Sequence, residues 1–435
     1  MRKSFKIQHV SNNDVQNPAL PPLRRKWAIW YNINVSMIRD TSLGAGRTKT
    51  IAFVSDSVLP TEISDLLKHV TTYAQERRSC TIRFILEDLL AQPSIFDGCD
   101  GILADACMPA TIDILKASGL PVVLTSLLDG ANLPCVEFSP EMNGRMAAEW
   151  FLHRRFTNFA FCGLSRYSFY ERIEKAFAAT VRNAGFDCAP YDREKMSVEA
   201  IRANPASVQA YLDEWIPTLP RRTAVFCIHD RRAALVIESC LRIGRAVPDD
   251  IAVMGRHNDI IVCACAPRAI TSIDPNYRLQ TYTALQLLEE IIDNPELAKE
   301  KKCIFIPPLG VIERESTNVY PVDPPWLAKA LSLIDDNLDR HIALEDLAQA
   351  AGISQSALQK AIHKTFGMSV NKYILSVKMR EAKRLIDHGG YSVKELAART
   401  GFSTPSYFTR AYTAFYGLPP SQDSLSAGRS RGNMV

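Results

Sequence analysis

Two segments near the C-terminus carry polar side chains at a helical spacing that suits hydrogen bonding to nucleic-acid bases. Gln can bind adenine through two hydrogen bonds, and Lys or Arg can donate to guanine or to phosphate. We expect outward-facing side chains of this kind at Ser356, Gln359, Lys360, His363, Thr404, Ser406, Thr409 and Arg410. Arg410 is the strongest single candidate for a contact. On an isolated helix, the same residues would indicate only a solvated face.

These candidate residues lie in a sequence pattern that occurs twice, as LEDLAQAAGISQSALQKAIHKTFG at 344–367 and VKELAARTGFSTPSYFTRAYTAFYG at 393–417. Each copy has small residues that let two helices approach, a turn glycine and a polar residue that can cap the next helix. This pattern predicts two helix-turn-helix units. The copies are offset by 49 residues at Ser354 and Ser403 but by 50 residues at Leu358 and Phe408. The change in offset predicts one extra residue in the second helix of copy two.

A long helix is predicted between the copies, at Ser369–His388, with a length of about 30 Å. That length is close to one turn of DNA, about 34 Å, so the two units could reach successive major grooves. In copy two we expect Ser403 or Thr404 as the helix cap. We also expect an inward-facing apolar set at Phe408, Tyr412 and Phe415.

The middle of the chain has a different pattern, in which short apolar runs alternate with amphipathic helices. Strands are predicted at 50–56, 81–86, 100–105, 120–126, 136–139, 159–165, 224–230 and 251–258, with helices between them. Alternation of this kind predicts an α/β fold with parallel sheets covered on both faces. There are too many elements for one compact sheet, so we expect two subdomains around a cleft.

Ligands of such sheets bind beyond the carboxyl ends of the strands. The polar residues at those positions are therefore the candidate ligand-binding residues: Asp56, Ser139, His229, Asp230, His257 and Asn258. Each could instead be a helix cap or a turn residue.

Composition restricts the class of protein. The net charge is only +4, yet residues 1–49 hold nine Lys/Arg against two Asp/Glu, and residues 326–435 hold 14 against nine. Basic ends around an acidic middle fit a DNA-facing terminus joined to a domain that does not face DNA. The 11 cysteines form no CxxC pair and mostly lie in apolar runs, which predicts buried, reduced thiols. No signal-peptide core or membrane span is evident, so we expect a cytoplasmic, nucleoid-associated protein.

The C-terminal 100 residues resemble the AraC/XylS-type DNA-binding domain. The resemblance covers LAxxxGxSxxxLxK in copy one, KMREAKRLI at 378–386 and the whole of copy two. The middle of the chain resembles the periplasmic-binding-protein-like sensor of LacI-type regulators, at 224–259 and 270–290. A sensor of this kind feeding an AraC-type domain is the arrangement of xylose-responsive XylR regulators.

The resemblance implies an α/β two-subdomain sensor followed by an all-α double helix-turn-helix domain. The expected parts are a basic, poorly ordered extension at 1–48, a sensor at 49–318, a Pro-rich linker at 319–326, a DNA-binding domain at 327–420 and a disordered tail at 421–435. It also implies a homodimer that binds double-stranded DNA, senses a monosaccharide such as a pentose and controls carbohydrate catabolic genes, with RNA polymerase as a further partner. No cofactor or metal is expected. Arg172 lies near a ligand-binding arginine of the family.

The sensor departs from its relatives at the expected ligand site. Relatives commonly have Asp after the Gly of the VxGxD strand, whereas this chain has Arg256-His257-Asn258 there. They also have Asp-Asn after the fourth strand, where this chain has Ser139-Pro140. One alternative is therefore the same DNA-binding architecture with a degenerate sensor that binds a protein or a non-sugar ligand. A fused enzyme is disfavoured because no HExxH, phosphate loop or Cys-His nucleophile motif occurs, and a transport component is disfavoured by the lack of a signal peptide.

Overall fold

The computed structural model describes residues 48–423 except 56–59, 87–88, 91, 93, 107, 127, 164–167, 198–203 and 389–390. The predicted N-terminal extension and C-terminal tail therefore lie almost wholly outside the described residues. Within the described part of the chain, no helix is both long and apolar enough to cross a membrane. All ten cysteines of that part are free thiols, and seven of them are buried, as predicted.

Within the described residues, twelve strands form two six-stranded sheets. The strands are β1 (Lys49–Ser55), β2 (Cys80–Leu86), β3 (Gly101–Asp105), β4 (Val122–Leu124), β5 (Cys135–Phe138), β6 (Asn158–Cys162), β7 (Cys188–Ala189), β8 (Thr223–Cys227), β9 (Ile251–Arg256), β10 (Thr271–Asp274), β11 (Cys303–Ile306) and β12 (Gly310–Ile312). The order is β11-β5-β4-β3-β1-β2 in the first sheet and β12-β10-β9-β8-β6-β7 in the second. All pairs are parallel except β10 with β12.

Helices cover these sheets and then form the C-terminal part alone. They are α1 (Pro60–Arg77), α2 (Pro109–Ala117), α3 (Pro140–His153), α4 (Ser168–Asn183), α5 (Pro205–Trp215), α6 (Asp230–Arg242), α7 (Ile260–Cys265), α8 (Tyr277–Asp293), α9 (Pro325–Asp335), α10 (Leu344–Ala351), α11 (Gln355–Phe366), α12 (Val370–His388), α13 (Val393–Arg399) and α14 (Pro405–Tyr416). The predicted fold class is confirmed.

The chain passes between the two sheets three times: after β5, after β10 and after β11. The carboxyl ends of the sheets meet, because the guanidinium carbon of Arg256, at the end of β9, lies 6.0 Å from the ring centre of Phe138, at the end of β5. The predicted cleft is thus bounded by the ends of strands from both subdomains.

Several strands end earlier than the sequence pattern predicts, among them β8 and β9. β8 stops at Cys227, and His229 caps α6 through an Nδ1 that accepts the backbone N–H of Arg232. β9 stops at Arg256, since His257 and Asn258 have φ values of 105° and 53°, which end an extended strand. Polar residues at strand ends are used here to turn the chain.

The C-terminal helices have two apolar cores, one for each helix-turn-helix unit. Tyr320 and Val322, from the predicted Pro-rich linker, are buried in the first core. The prediction of an extra residue in the second helix of copy two is wrong, because α11 and α14 both have 12 residues. Their caps, Ser354 and Thr404, place the extra residue in the turn.

Phe415 was predicted to face inward, and this is also wrong. Its side chain is 46% exposed, whereas Phe408 and Tyr412 are fully buried as expected. Helical periodicity predicts Phe415 on the same face as Phe408 and Tyr412. Phe415 lies in the last turn of α14, however, where its side chain does not pack in the small core of the second unit.

A lysine joins the two helix-turn-helix units through backbone contacts. Lys378, in the middle of α12, donates from Nζ to the carbonyl oxygens of Arg340, at 2.8 Å, and Gly401, at 3.3 Å. Gly401 is the turn glycine of copy two, with φ of 64°, and a Cβ there would lie 2.6 Å from the Arg340 oxygen. Only glycine fits this contact without displacing the chain. The spacer helix is therefore fixed to the second turn.

Candidate functional site

The candidate DNA-contacting residues form one exposed face on each second helix. Ser356, Gln359, Lys360 and His363 are all exposed along α11. Along α14, Ser406 and Arg410 are exposed, and Thr409 is half-buried, with its hydroxyl donating to the Pro405 oxygen at 2.9 Å. Thr404 is exposed and caps α14 by accepting the N–H of Tyr407 at 3.2 Å. The two faces present Gln and Lys on one helix and Arg on the other.

One exposed aromatic residue on α14 was missed. Tyr407 is 51% exposed and packs edge-on against Phe402 with ring centres 5.3 Å apart. It lies in the first turn of the helix, beside Ser406. A polar side chain at this position would have been a candidate, but the sequence analysis treated aromatic residues of this helix as core.

The cleft between the sheets is occupied by the side chain of Arg256. This residue is only 2% exposed and is the largest of the fully buried side chains. Its guanidinium lies 5.2 Å from the ring centre of Phe169, at the start of α4, and its Nε donates to the oxygen of Ile228 at 3.3 Å. Its Nη2 lies 2.7 Å from His257 Nε2. Together with Phe138 from the end of β5, residues of both subdomains therefore surround one cation.

His257 connects Arg256 to the first subdomain. Since Arg can only donate, His257 Nε2 must accept from Arg256, which places the imidazole proton on Nδ1. Nδ1 is hydrogen-bonded to the hydroxyl of Tyr277, at the start of α8. Tyr277 in turn packs edge-on against Phe138 with ring centres 5.0 Å apart. Burial, followed by the charge of Arg256, lowers the pKa of His257 well below its usual range, so the ring is neutral.

Asp230 turns away from Arg256. A Cβ added to Gly255 would collide with Asp230 Oδ1, and successive side chains of a strand point to opposite faces, so the Arg256 side chain leaves β9 on the other side. Asp230 Oδ2 accepts the N–H of Asp259 at 2.8 Å. Burial raises the pKa of Asp230 to about 7. Asp230 thus ties the start of α6 to the loop after β9.

The other predicted ligand-binding residues are spread around this centre. Ser139 is buried and caps α3, accepting the N–H of Met142 at 3.3 Å. Asn258 accepts from Arg314 at 2.7 Å and donates to Asp274 at 3.3 Å. Arg172 forms a two-bond ion pair with Glu141, at 2.7 and 3.1 Å. Asp56 lies outside the described residues.

His229, by contrast, is close to Arg256. Its pKa is lowered to about 3 by burial and then by the charges of Arg232 and Arg256. Of the seven predicted residues, His229 and His257 are thus both brought near Arg256. Within the described part of the chain, no group of three or more His, Cys, Asp or Glu could hold a metal ion.

Known proteins combine these two kinds of domain. Residues 148–317 match the family of periplasmic binding protein-like domains, and residues 347–424 match a helix-turn-helix domain family. The chain is 26% identical over 367 residues to the xylose operon regulatory protein of Escherichia coli (strain K12), covering 82% of this chain and 92% of that protein. It is 22% identical over 340 residues to the Haemophilus influenzae protein of the same name, covering 75% and 85%.

The chain is a XylR-like transcriptional regulator, with an AraC-type helix-turn-helix domain after a periplasmic-binding-protein-like domain. Its fold is also similar to a solved structure titled xylose-binding transcription activator xylR, with a TM-score of 0.51, 22% identity and coverage of 86% of this chain and 97% of that chain. The predicted resemblance is confirmed.

In this regulator, helix α3 runs from the cleft to the helix-turn-helix domain. It starts beside Phe138 and Ser139 and ends at His153, and its 14 residues span about 21 Å. The next residue, Arg154, is buried and forms ion pairs with Glu313 and, at 3.5 Å, with Asp335 of α9. The segment from Ser139 to Arg154 therefore connects the cleft between the sheets to the helix-turn-helix domain.

A cavity of about 730 Å³ lies beside this contact. The end of α3 borders it on one side, and α12 and α14 border it on the other, including Arg380 and the exposed Phe415. Arg155 also reaches across, with its guanidinium 4.6 Å from the ring centre of Phe366, the last residue of α11. The sensor thus contacts the end of α11, the second helix of the first helix-turn-helix unit.

Sequence reasoning missed Arg256, Tyr277 and Phe169 as cleft residues. A signal was present, because an arginine that ends a buried apolar strand is unusual and charged residues are rarely buried without a partner. From sequence alone, Arg256 is recognisable only as a departure from the family pattern.

Proposed function

We propose that this regulator binds specific operator DNA as a homodimer and changes its transcriptional output when a small carbohydrate binds between the sensor sheets. The observation that carries the proposal is the pair of exposed polar faces on α11 and α14, on the same chain as an interdomain cleft. Support for a carbohydrate ligand comes from the relatives, which are xylose operon regulators by name. Control of carbohydrate catabolic genes and contact with RNA polymerase belong to the same proposal.

The first test is binding to the DNA upstream of its own coding sequence, measured by gel shift. Lys360→Ala and Arg410→Ala should each weaken binding by about 1–3 kcal/mol, or roughly 5- to 150-fold, if they contact bases or phosphate. Lys116→Ala is the matched control, because Lys116 is an exposed lysine on α2 of the sensor and the substitution removes the same charge.

The possible outcomes distinguish an error in the assigned contact residues from a failure of the proposed function. If both variants bind like the wild type, the assignment of contacts is wrong although the protein still binds DNA. If the wild-type protein shows no preference for its own upstream region over unrelated DNA at physiological salt, the proposed function itself fails. The same samples, run on a sizing column with light scattering, test the homodimer.

A further inference from the structure

Arg256 is a buried cation whose hydrogen-bonding capacity is not fully used. Nε and Nη2 have partners in Ile228 and His257, but Nη1 is buried and has no hydrogen-bond partner among the described residues. An unpaired buried N–H group costs free energy, and the cost is larger when the group is charged. The arginine is therefore held in an arrangement that its protein neighbours do not complete.

The groups that face Arg256 also fail to balance its charge. Among the described residues, the polar contacts of the guanidinium are the Ile228 oxygen and His257 Nε2, with no ion pair to an Asp or Glu. Asp230 points to the other side of β9. His257 and His229 are the titratable neighbours, and burial lowers the pKa of both rings, so both are neutral at physiological pH. The aromatic faces of Phe138 and Phe169 give weak compensation only.

The position of the guanidinium is that of a ligand-binding group. It lies at the carboxyl end of β9, and Phe138 from the end of β5 and Phe169 from the start of α4 flank it. Ligands of paired α/β subdomains bind at this edge. A guanidinium is well suited to a carboxylate or phosphate because its planar N–H groups can donate two parallel hydrogen bonds.

We propose that the effector is an anionic carbohydrate, whose carboxylate or phosphate group binds Arg256 between the two sensor sheets. This inference rests on the proposed function, since it names the ligand class of the same cleft. A neutral pentose would supply no counterion for the guanidinium, and the described residues offer none. An acidic sugar would supply the missing acceptor for Nη1 and a counterion for the guanidinium.

The test compares matched neutral and anionic sugars by thermal shift and titration calorimetry on the full chain. The pairs are D-glucose with D-glucuronate, D-galactose with D-galacturonate, and D-glucose with glucose 6-phosphate, all at equal ionic strength. At least one anion should raise the melting temperature while its neutral partner does not. The uronates and the phosphate ester distinguish a carboxylate from a phosphate ligand.

Variants at Arg256 test the contact. Arg256→Met should weaken binding of the active anion by roughly 10- to 100-fold. Without ligand it should melt at the same temperature as the wild type or higher, because a buried, incompletely paired charge is replaced by an apolar side chain. Arg256→Lys keeps the charge and should retain part of the binding. Arg242→Met is the control, since Arg242 is an exposed arginine of α6 that pairs with Asp213.

Three results would overturn the inference: no stabilisation by any anion of the panel, equal stabilisation by the neutral partners, or an Arg256→Met variant that melts well below the wild type without ligand. The last result would make Arg256 a structural residue. Gel shifts on the same samples keep the two proposals apart. Protein that binds anions but not its own operator retains this inference and loses the proposed function, and protein that binds its operator but responds only to neutral sugars does the reverse.

Discussion

At the scale of single residues, Gly255 and Arg256 are neighbours on β9 but lie on opposite faces of the strand and have different roles. Gly255 leaves room for Asp230, which accepts the Asp259 N–H and fixes the loop after the strand. Arg256 leaves the other face and enters the cleft. In sequence, Asp230 and the candidate ligand-binding residues look alike, because all of them follow predicted strands. The structure shows that Asp230 and Arg256 lie on opposite faces of β9, because successive side chains of a strand alternate between its faces.

Asp230 should make the stability of the sensor depend on pH. Burial raises its pKa from an ordinary value of 3.8 to about 7 in the folded chain, so the folded state binds this proton more tightly than the unfolded state. Its contribution to stability is therefore complete below about pH 3.8 and is lost as the pH rises through 7. The free energy of unfolding should fall by up to roughly 1.4 kcal/mol per pH unit over that window from this group alone.

Asp230→Asn removes this titration and should flatten the pH dependence between about pH 5 and pH 7. The measurement is urea unfolding of the wild type and the variant across that range, and the quantity of interest is the difference between them. Asp249→Asn is the control, because Asp249 is an exposed residue of the same subdomain. A difference that is constant with pH would show that Asp230 does not titrate in this window.

At the scale of secondary structure, periodicity predicted the elements that are long and amphipathic and missed those that depend on tertiary pairing. The helices of the double motif and the spacer α12 were placed within a few residues. Periodicity missed β7, β10, β11 and β12, because strands of two to four residues carry little pattern of their own and are defined by pairing, as β10 is by its parallel partner β9 and its antiparallel partner β12. Phe415 was misplaced because its surroundings include the sensor. Local sequence patterns do not determine where elements end or which residues contact another domain.

Helix α3 is the element expected to couple the effector cleft to DNA binding. Arg154→Met leaves Glu313 of the sensor and Asp335 of α9 without their shared cation and should cost about 3 kcal/mol, part of it from the Arg154–Asp335 pair that joins the sensor to the helix-turn-helix domain. This estimate is at the low end for buried pairs because the Glu313 side chain is 38% exposed. The change in DNA affinity caused by the effector should shrink toward unity, while DNA binding without effector is retained.

Arg145→Met is the matched control for this prediction. Arg145 lies on the same helix, but its side chain is 59% exposed and pairs only with Glu149, at 3.7 Å. Gel shifts with and without effector should show normal coupling in Arg145→Met and reduced coupling in Arg154→Met. Equal coupling in both variants would mean that the signal does not travel through the end of α3.

At the scale of the whole molecule, the spacing of the two recognition helices should be set by a rigid element. The 19 residues of α12 span about 28 Å, close to one turn of DNA. Lys378 attaches the middle of this helix to the Gly401 turn of the second unit and to Arg340. The first unit is held at the other end through the packing of Phe366 on Tyr373, with ring centres 4.3 Å apart. We therefore expect two unlike subsites about 10 bp apart within each half-site.

A rigid spacer and a flexible one differ in their response to altered DNA spacing. Inserting about 5 bp between the subsites turns the second one to the opposite face of the duplex, and inserting about 10 bp restores the face but moves it about 34 Å along the axis. With α12 rigid, both insertions should reduce affinity to that of a single helix-turn-helix unit, as measured by gel shift and footprinting. The same insertions placed outside both subsites serve as controls. Recovery of affinity with the 10-bp insertion would contradict a rigid spacer, because only a flexible connection could extend by a further DNA turn.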